Sequence, residues 1–217
     1  MNPPQQSTLK EFDQTDASGI PTGNTYDKYG ASNPIARRLM AGFERSLREL
    51  FDLAQPRSIL DIGCGEGVLT QRWARQIEGR VLGLDLDDPK LQAEWSSRKE
   101  ANLEFRVARG ERIPAEDNEF DIATAIEVLE HVEDPDQTLA EMARSAQRYL
   151  LISVPREPLW RMINVARGTY LKQLGNTPGH VNHWSKRAFI DFASQQGEVV
   201  QVRSPLPWTM LLVQLRK

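Results

Sequence analysis

Apolar residues recur at helical spacing through Ile35, Leu39, Met40, Phe43, Leu47, Leu50 and Phe51, which predicts a long helix with one buried face. Asn33 and Pro34 supply its cap and first turn, and Pro56 stops it. Beyond this helix, short apolar runs at 58–62, 80–85, 103–107, 120–126 and 149–154 read as strands. Helical patterns lie between them. The first holds Val68, Leu69, Trp73 and Ile77, the next is capped near Asp87 and Pro89, and another spans about 135–148. Strands alternating with helices imply βαβ units and a parallel sheet covered on both faces. Residues 155–184 interrupt the rhythm. Ser185 then caps a helix to about 195, and Gly197 stops it. The runs at 198–203 and 208–215, split by Pro205-Leu206-Pro207, have the spacing of an antiparallel hairpin.

The length of 217 residues suits one domain with decorations. Residues 1–24, polar and rich in Pro and Gln, read as a flexible arm, leaving 25–217 as one domain. A net charge of −3 argues against a general nucleic-acid coat. Cys64 is the single cysteine, so no internal disulfide forms, which fits a cytoplasmic protein. No signal peptide is legible, and no apolar run approaches the ~20 residues of a membrane span.

Chemistry concentrates in Leu60-Asp61-Ile62-Gly63-Cys64-Gly65-Glu66-Gly67, where a strand gives way to a helix. Glycines there permit a sharp turn and a close ligand approach. The spacing Gly-x-Gly-x-Gly is not the dinucleotide fingerprint, and no Gly-Lys-Ser/Thr marks a P-loop. Asp61 would repel a pyrophosphate and suits an ammonium group. Asp85 ends the second strand, 22 residues after Gly63, where a carboxylate accepts from ribose hydroxyls. Ribose, cation and no phosphate together describe S-adenosylmethionine.

From about Tyr26 onward the chain resembles the class I S-adenosylmethionine-dependent methyltransferases, and within them the ubiquinone-biosynthesis O-methyltransferases. The likeness rests on Asp61-x-Gly63-x-Gly65-x-Gly67, on Asp85, on Glu111-Arg-Ile-Pro114 before Phe120-Asp121, and on Glu127-Val-Leu-Glu130-His131-Val132. It implies an α/β, Rossmann-like doubly wound seven-stranded sheet, mostly parallel with a C-terminal antiparallel hairpin. It implies that the glycine loop, including Cys64, faces the methionine part of the cofactor and that Asp85, beside Leu86, holds the ribose. Arg109 and Gly110 fall where relatives contact adenine, and Ile126 and Glu127 close the site after the fourth strand. Arg109 departs from the acid common there. It cannot accept from the adenine amino group, but it can stack on the ring.

His131 is the candidate general base, since imidazole titrates near neutrality. Were this segment helical, Glu127, Glu130 and His131 would share a face. With His180 they could then hold a divalent cation such as Mg²⁺, as the resemblance to metal-dependent RNA 2′-O-methyltransferases implies. Residues 155–184 form the expected acceptor lid. Arg156, Arg161, Arg167 and Lys172 against Glu157 give it a net charge of +3, with Leu159, Trp160, Met162, Ile163, Val165 and Tyr170 interleaved. This composition suits a small-molecule acceptor that is anionic or lipid-like. Tyr26 and Tyr29 are candidates to fold over the cofactor. The functional expectation is methyl transfer to oxygen or nitrogen of a small molecule. The alternatives are an RNA 2′-O-methyltransferase and a non-catalytic binding module.

Overall fold

The computed structural model describes residues 34–216; the expected arm, the Asn33 cap, Tyr26 and Tyr29 lie outside them. Helix α1 (Pro34–Ala54) precedes β1 (Ile59–Ile62), α2 (Val68–Ala74), β2 (Val81–Asp85), α3 (Pro89–Ser97), β3 (Leu103–Val107) and β4 (Phe120–Ile126). Helix α4 (Pro135–Ser145), β5 (Ala146–Pro155), α5 (Leu159–Ala166), α6 (Lys186–Ala193), β6 (Gly197–Arg203) and β7 (Trp208–Leu215) complete the order. A 3₁₀ turn at Leu171–Gln173 follows α5.

The seven strands form one sheet in the order β3-β2-β1-β4-β5-β7-β6. Neighbours from β3 to β5 are parallel, and β7 is antiparallel to both β5 and β6. The sheet is the expected mostly parallel one with its C-terminal antiparallel pair. Strand side chains alternate between two cores, as period two requires. Leu60, Ile62, Leu82, Leu84, Leu150, Ile152, Leu211 and Val213 face a core that includes Leu139 and Met142 of α4 and Phe189 and Phe192 of α6. Ile59, Val81, Leu151, Met210 and Leu212 face the other, with Phe43, Leu47 and Leu50 of α1 and Trp73 of α2. Burial on both faces explains why these strands read as unbroken apolar runs.

Helix starts follow local chemistry. Asp88, rather than Asp87, caps α3 by accepting from Lys90 N. Asp134 accepts from Gln137 N with Pro135 in the first turn of α4, and Ser185 accepts from Ala188 N at α6. The α4 pattern ends earlier than its periodicity predicts, because the chain becomes β5 at Ala146 and pairs with Phe120. No helix among the described residues is long and apolar enough to cross a membrane. Strand order reverses between β1 and β4, so the loops after β1, β2 and β4 converge at one edge. That edge is where ligands bind in open α/β sheets.

Candidate functional site

The three loop glycines all occupy left-handed backbone, with φ of +66° at Gly63, +55° at Gly65 and +75° at Gly67. A Cβ on Gly63 would sit 2.3 Å from Val128 Cγ2, and one on Gly67 would sit 2.5 Å from the Phe105 ring. At Gly65 it would meet nothing within 4 Å. Two of the glycines therefore answer to packing and the third to the cleft. Cys64 N donates to the Leu84 carbonyl at 3.0 Å, tying the loop to β2.

The cleft between these loops is lined by Asp61, Gly63, Cys64, Gly65, Asp85 and Leu86 from β1, β2 and their loops. Arg109, Gly110, Ile126, Glu127 and His131 line its other side, and Met40, Phe43 and Leu47 of α1 close it. Gly67 is not in the lining; it starts α2 instead. Gly110 lies against α4, where a Cβ would come 2.8 Å from Thr138 Cγ2.

Asp61 is buried, and both its oxygens accept bonds of 2.7 Å, from Thr70 of α2 and Thr124 of β4. Burial is the main force pushing its carboxyl up to about 7; the two hydroxyls pull it down, and nearby Asp85 adds a smaller upward push. Asp61 thus anchors α2 and β4 to the strand tip besides bordering the cleft. Asp85 accepts from Gly65 N at 2.6 Å and from Leu86 N at 2.7 Å. Burial raises its carboxyl, and the two amides oppose that rise. The Cys64 thiol is pushed well up by burial and then by Asp85 and Asp61, so it stays protonated and packs as a small side chain.

The Asp61 shift has a testable sign. Its folded value of about 7 exceeds the ordinary 3.8, so the folded state holds the extra proton between them. Asp61 therefore adds stability at low pH that is lost as pH rises through about 7. Denaturant unfolding of the ligand-free protein should show Asp61→Asn flattening a fall in stability between about pH 4 and 7. An unchanged slope would rule Asp61 out as its source.

The segment 127–132 is a turn, not the helix that a shared face for Glu127, Glu130 and His131 requires. Glu127 is left-handed (φ +61°), and its Oε1 accepts from Ser153 Oγ at 2.8 Å. This directs it to β5. Glu130, His131 and His180 do come together, with one ligand atom from each lying within 4.8 Å of the others; Glu127 is outside that group. His131 Nδ1 lies 3.0 Å from the Gly179 carbonyl. A carbonyl only accepts, so Nδ1 carries the proton and the neutral ring has its lone pair on Nε2.

Residues 155–184 pack against this turn. Val181 N and Asn182 N donate to the Glu130 carbonyl at 2.9 and 3.1 Å, and Asn182 Nδ2 donates to Leu129 and Val132 carbonyls. Trp160 Nε1 donates to Thr177 Oγ1 at 2.9 Å, bracing α5 from within. A run of rings joins Phe43 to His131, both of which line the cleft. Phe43 meets Trp208 edge-on at 4.9 Å, Trp208 meets Trp160 at 6.0 Å, Trp160 meets His180 at 5.9 Å, and His180 meets His131 at 4.8 Å. Sequence reasoning missed the first part of this run, since Phe43, Trp160 and Trp208 come from elements far apart in the chain. Met162, Val165, Leu171 and Leu174 point outward from the same segment.

The strand order, the glycine turn after β1 and the acid ending β2 define a Rossmann-like methyltransferase architecture. Residues 60–148 match the family model described as "Methyltransferase domain". The chain is 31% identical over 159 residues to a ubiquinone biosynthesis O-methyltransferase of Methylococcus capsulatus, covering 65% of this chain and 66% of that one. It is 28% identical to the protein of that name from Hahella chejuensis, with the same shares. The chain thus spans 66% of the length of each of these two relatives. Among solved structures, magnesium protoporphyrin IX methyltransferase from Synechocystis superposes with a TM-score of 0.62 at 15% identity, over 86% of this chain and 90% of that one. An S-adenosylmethionine-dependent methyltransferase from Aquifex aeolicus gives 0.61 at 17%, over 80% and 89%. At such identities these likenesses establish the fold. Together the family model and these relatives support a class I S-adenosylmethionine-dependent methyltransferase family.

Proposed function

We propose that this protein transfers a methyl group from S-adenosylmethionine to a small-molecule acceptor, most simply at an oxygen, and that residues 25–217 act in the cytoplasm as one methyltransferase domain. The observation that carries this reading is the single cleft uniting the open face of Gly65, the Asp85 carboxylate, Arg109–Gly110 and His131. The residues present fit the cofactor. Asp85 provides carboxylate oxygens for the ribose, the space beside Gly65 admits a ligand against the backbone, and the Asp61 carboxylate borders the cleft where an ammonium would favour its ionised form. When bound, S-adenosylmethionine supplies an electrophilic methyl on a sulfonium. The chain's task is then orientation and exclusion of water, which can be worth ~7–11 kcal/mol. His131 would accept the acceptor's proton at Nε2 while Gly179 holds Nδ1.

Two features support an aromatic, partly apolar acceptor. Phe43 and His131, the two ends of the ring run, put aromatic surface on the cleft, and the relatives named above are O-methyltransferases of ubiquinone biosynthesis. The outward Met162, Val165, Leu171 and Leu174, beside Arg167 and Lys172, suit approach from a lipid-like or anionic phase. Calorimetry with S-adenosylmethionine against NAD tests the cofactor, and mass spectrometry of candidate acceptors for one added methylene tests the reaction. Heat with NAD and none with S-adenosylmethionine would overturn the reading.

A second reading has one observation in its favour, the convergence of Glu130, His131 and His180. One carboxylate and two imidazoles suit Mn²⁺ or Zn²⁺ better than Mg²⁺, which prefers an all-oxygen shell. A cation there would act as a Lewis acid on the acceptor hydroxyl, and His131 would then be a ligand rather than a base. Under the first reading, His131→Ala should lower kcat ~100-fold with S-adenosylhomocysteine affinity nearly unchanged. Turnover should also survive EDTA. Loss of activity in EDTA, restored by Mn²⁺, would move His131 to the second role.

A further inference from the structure

Helix α3 and Arg98, the residue that follows it, send two donors to the glycine loop. Trp95 is buried on α3, its indole stacked on Phe105 at 5.3 Å with planes 9° apart. Phe105 fills the space beneath two glycines, since a Cβ on Gly67 or Gly83 would come within 2.5 or 2.7 Å of its ring. That seat fixes the indole, and Nε1 donates to the Gly65 carbonyl at 2.7 Å. At its other end, Gly65 N donates to Asp85 Oδ2 at 2.6 Å. One residue on, the Glu66 carbonyl accepts from Arg98 Nε, and Arg98 Nη1 reaches Gln71 Oε1 at 3.3 Å.

Gly65 has no Cβ and the widest conformational freedom of any residue. Its left-handed backbone also has no packing neighbour where a side chain would point. Its geometry is therefore set by the hydrogen bonds at its two ends. Resting on the cofactor reading above, we infer that Trp95 is a positioning residue for the ribose: by holding the Gly65 carbonyl it aims the Gly65 N–H, and through it the Asp85 carboxylate, at the cleft. Arg98 restrains the next peptide in the same sense. This makes α3 the outer half of a clamp whose inner half is the ligand.

The test is calorimetry with S-adenosylhomocysteine and its 2′,3′-dideoxy counterpart, on wild type and Trp95→Phe. Phenylalanine keeps a ring on Phe105 and removes the donor. The variant should bind S-adenosylhomocysteine about 10-fold more weakly and the dideoxy ligand nearly as well as wild type does. Equal losses for the two ligands, or no loss for either, would overturn the inference, because a merely structural tryptophan does not discriminate the hydroxyls. Failure of wild type to bind S-adenosylhomocysteine would instead overturn the cofactor reading. Should circular dichroism show Trp95→Phe unfolded, the half-buried Arg98→Met must show the same discrimination, and equal losses there overturn the inference too.

Discussion

Gly65→Val should eliminate measurable binding of S-adenosylhomocysteine while leaving the sheet intact. Gly65 is left-handed, yet a side chain there meets no protein atom within 4 Å. The fold therefore bears mainly the backbone cost of that conformation, ~1–2 kcal/mol, a fraction of ordinary domain stability. The ligand bears the rest, because the branched side chain fills the cleft wall that Gly65 leaves open. A loss of at least about 100-fold, or ~2.8 kcal/mol, is expected by calorimetry, with circular dichroism unchanged. Gly67→Val is the contrast. Its Cβ would fall 2.5 Å from the Phe105 ring, so it should lower thermal stability as well as affinity. Parallel loss of structure in both variants would place Gly65 among the packing glycines and leave the cleft without its opening.

The loop and the acid after it were legible because their signal is local. Asp61, the three glycines and Asp85 lie within one βαβ unit, and the glycine spacing departs visibly from the dinucleotide fingerprint. The parallel core was legible for a related reason: strands buried on both faces, such as 59–62 and 150–154, leave uninterrupted apolar runs. Contacts across elements leave no such trace. Trp95 and Gly65 are 30 residues apart, and nothing in the pattern of α3 shows that its indole meets a carbonyl of the loop. Trp208 reads as an ordinary β7 residue, although it joins Phe43 of α1 to Trp160 of α5. Glu127 shows the reverse error. The spacing of Glu127, Glu130 and His131 fits a helix, but the chain leaves β4 through a left-handed residue and pairs Glu127 with Ser153. Asp61 was legible as a pocket acid, but not as the acceptor for Thr70 and Thr124. Periodicity reports which face is buried, not which partner covers it.

Asp85→Ala should weaken S-adenosylmethionine and S-adenosylhomocysteine alike, each by about 100-fold. Two charge-assisted bonds to ribose hydroxyls, at roughly 1.5–3 kcal/mol each, are more than sufficient for that loss. The ligands share their ribose, so the ratio of their affinities should hold. Asp85→Asn keeps the shape and one acceptor oxygen but turns an amide toward donors such as Gly65 N, and about a 10-fold loss is expected. Acidity supplies an independent check. Burial raises the Asp85 carboxyl above its ordinary value in the ligand-free protein, and the ribose hydroxyls bind the ionised form. Affinity should therefore decline on acidification from a higher pH than an ordinary carboxylate would give, and the decline should be smaller in Asp85→Asn. Asp61 also titrates in the cleft, with its carboxyl raised to about 7, so the experiment belongs in an Asp61→Asn background, where its titration is removed. An Asp85→Ala protein that binds both nucleosides as tightly as wild type would place the ribose away from the β2 tip, and the cofactor would have to lie in the cleft in another orientation.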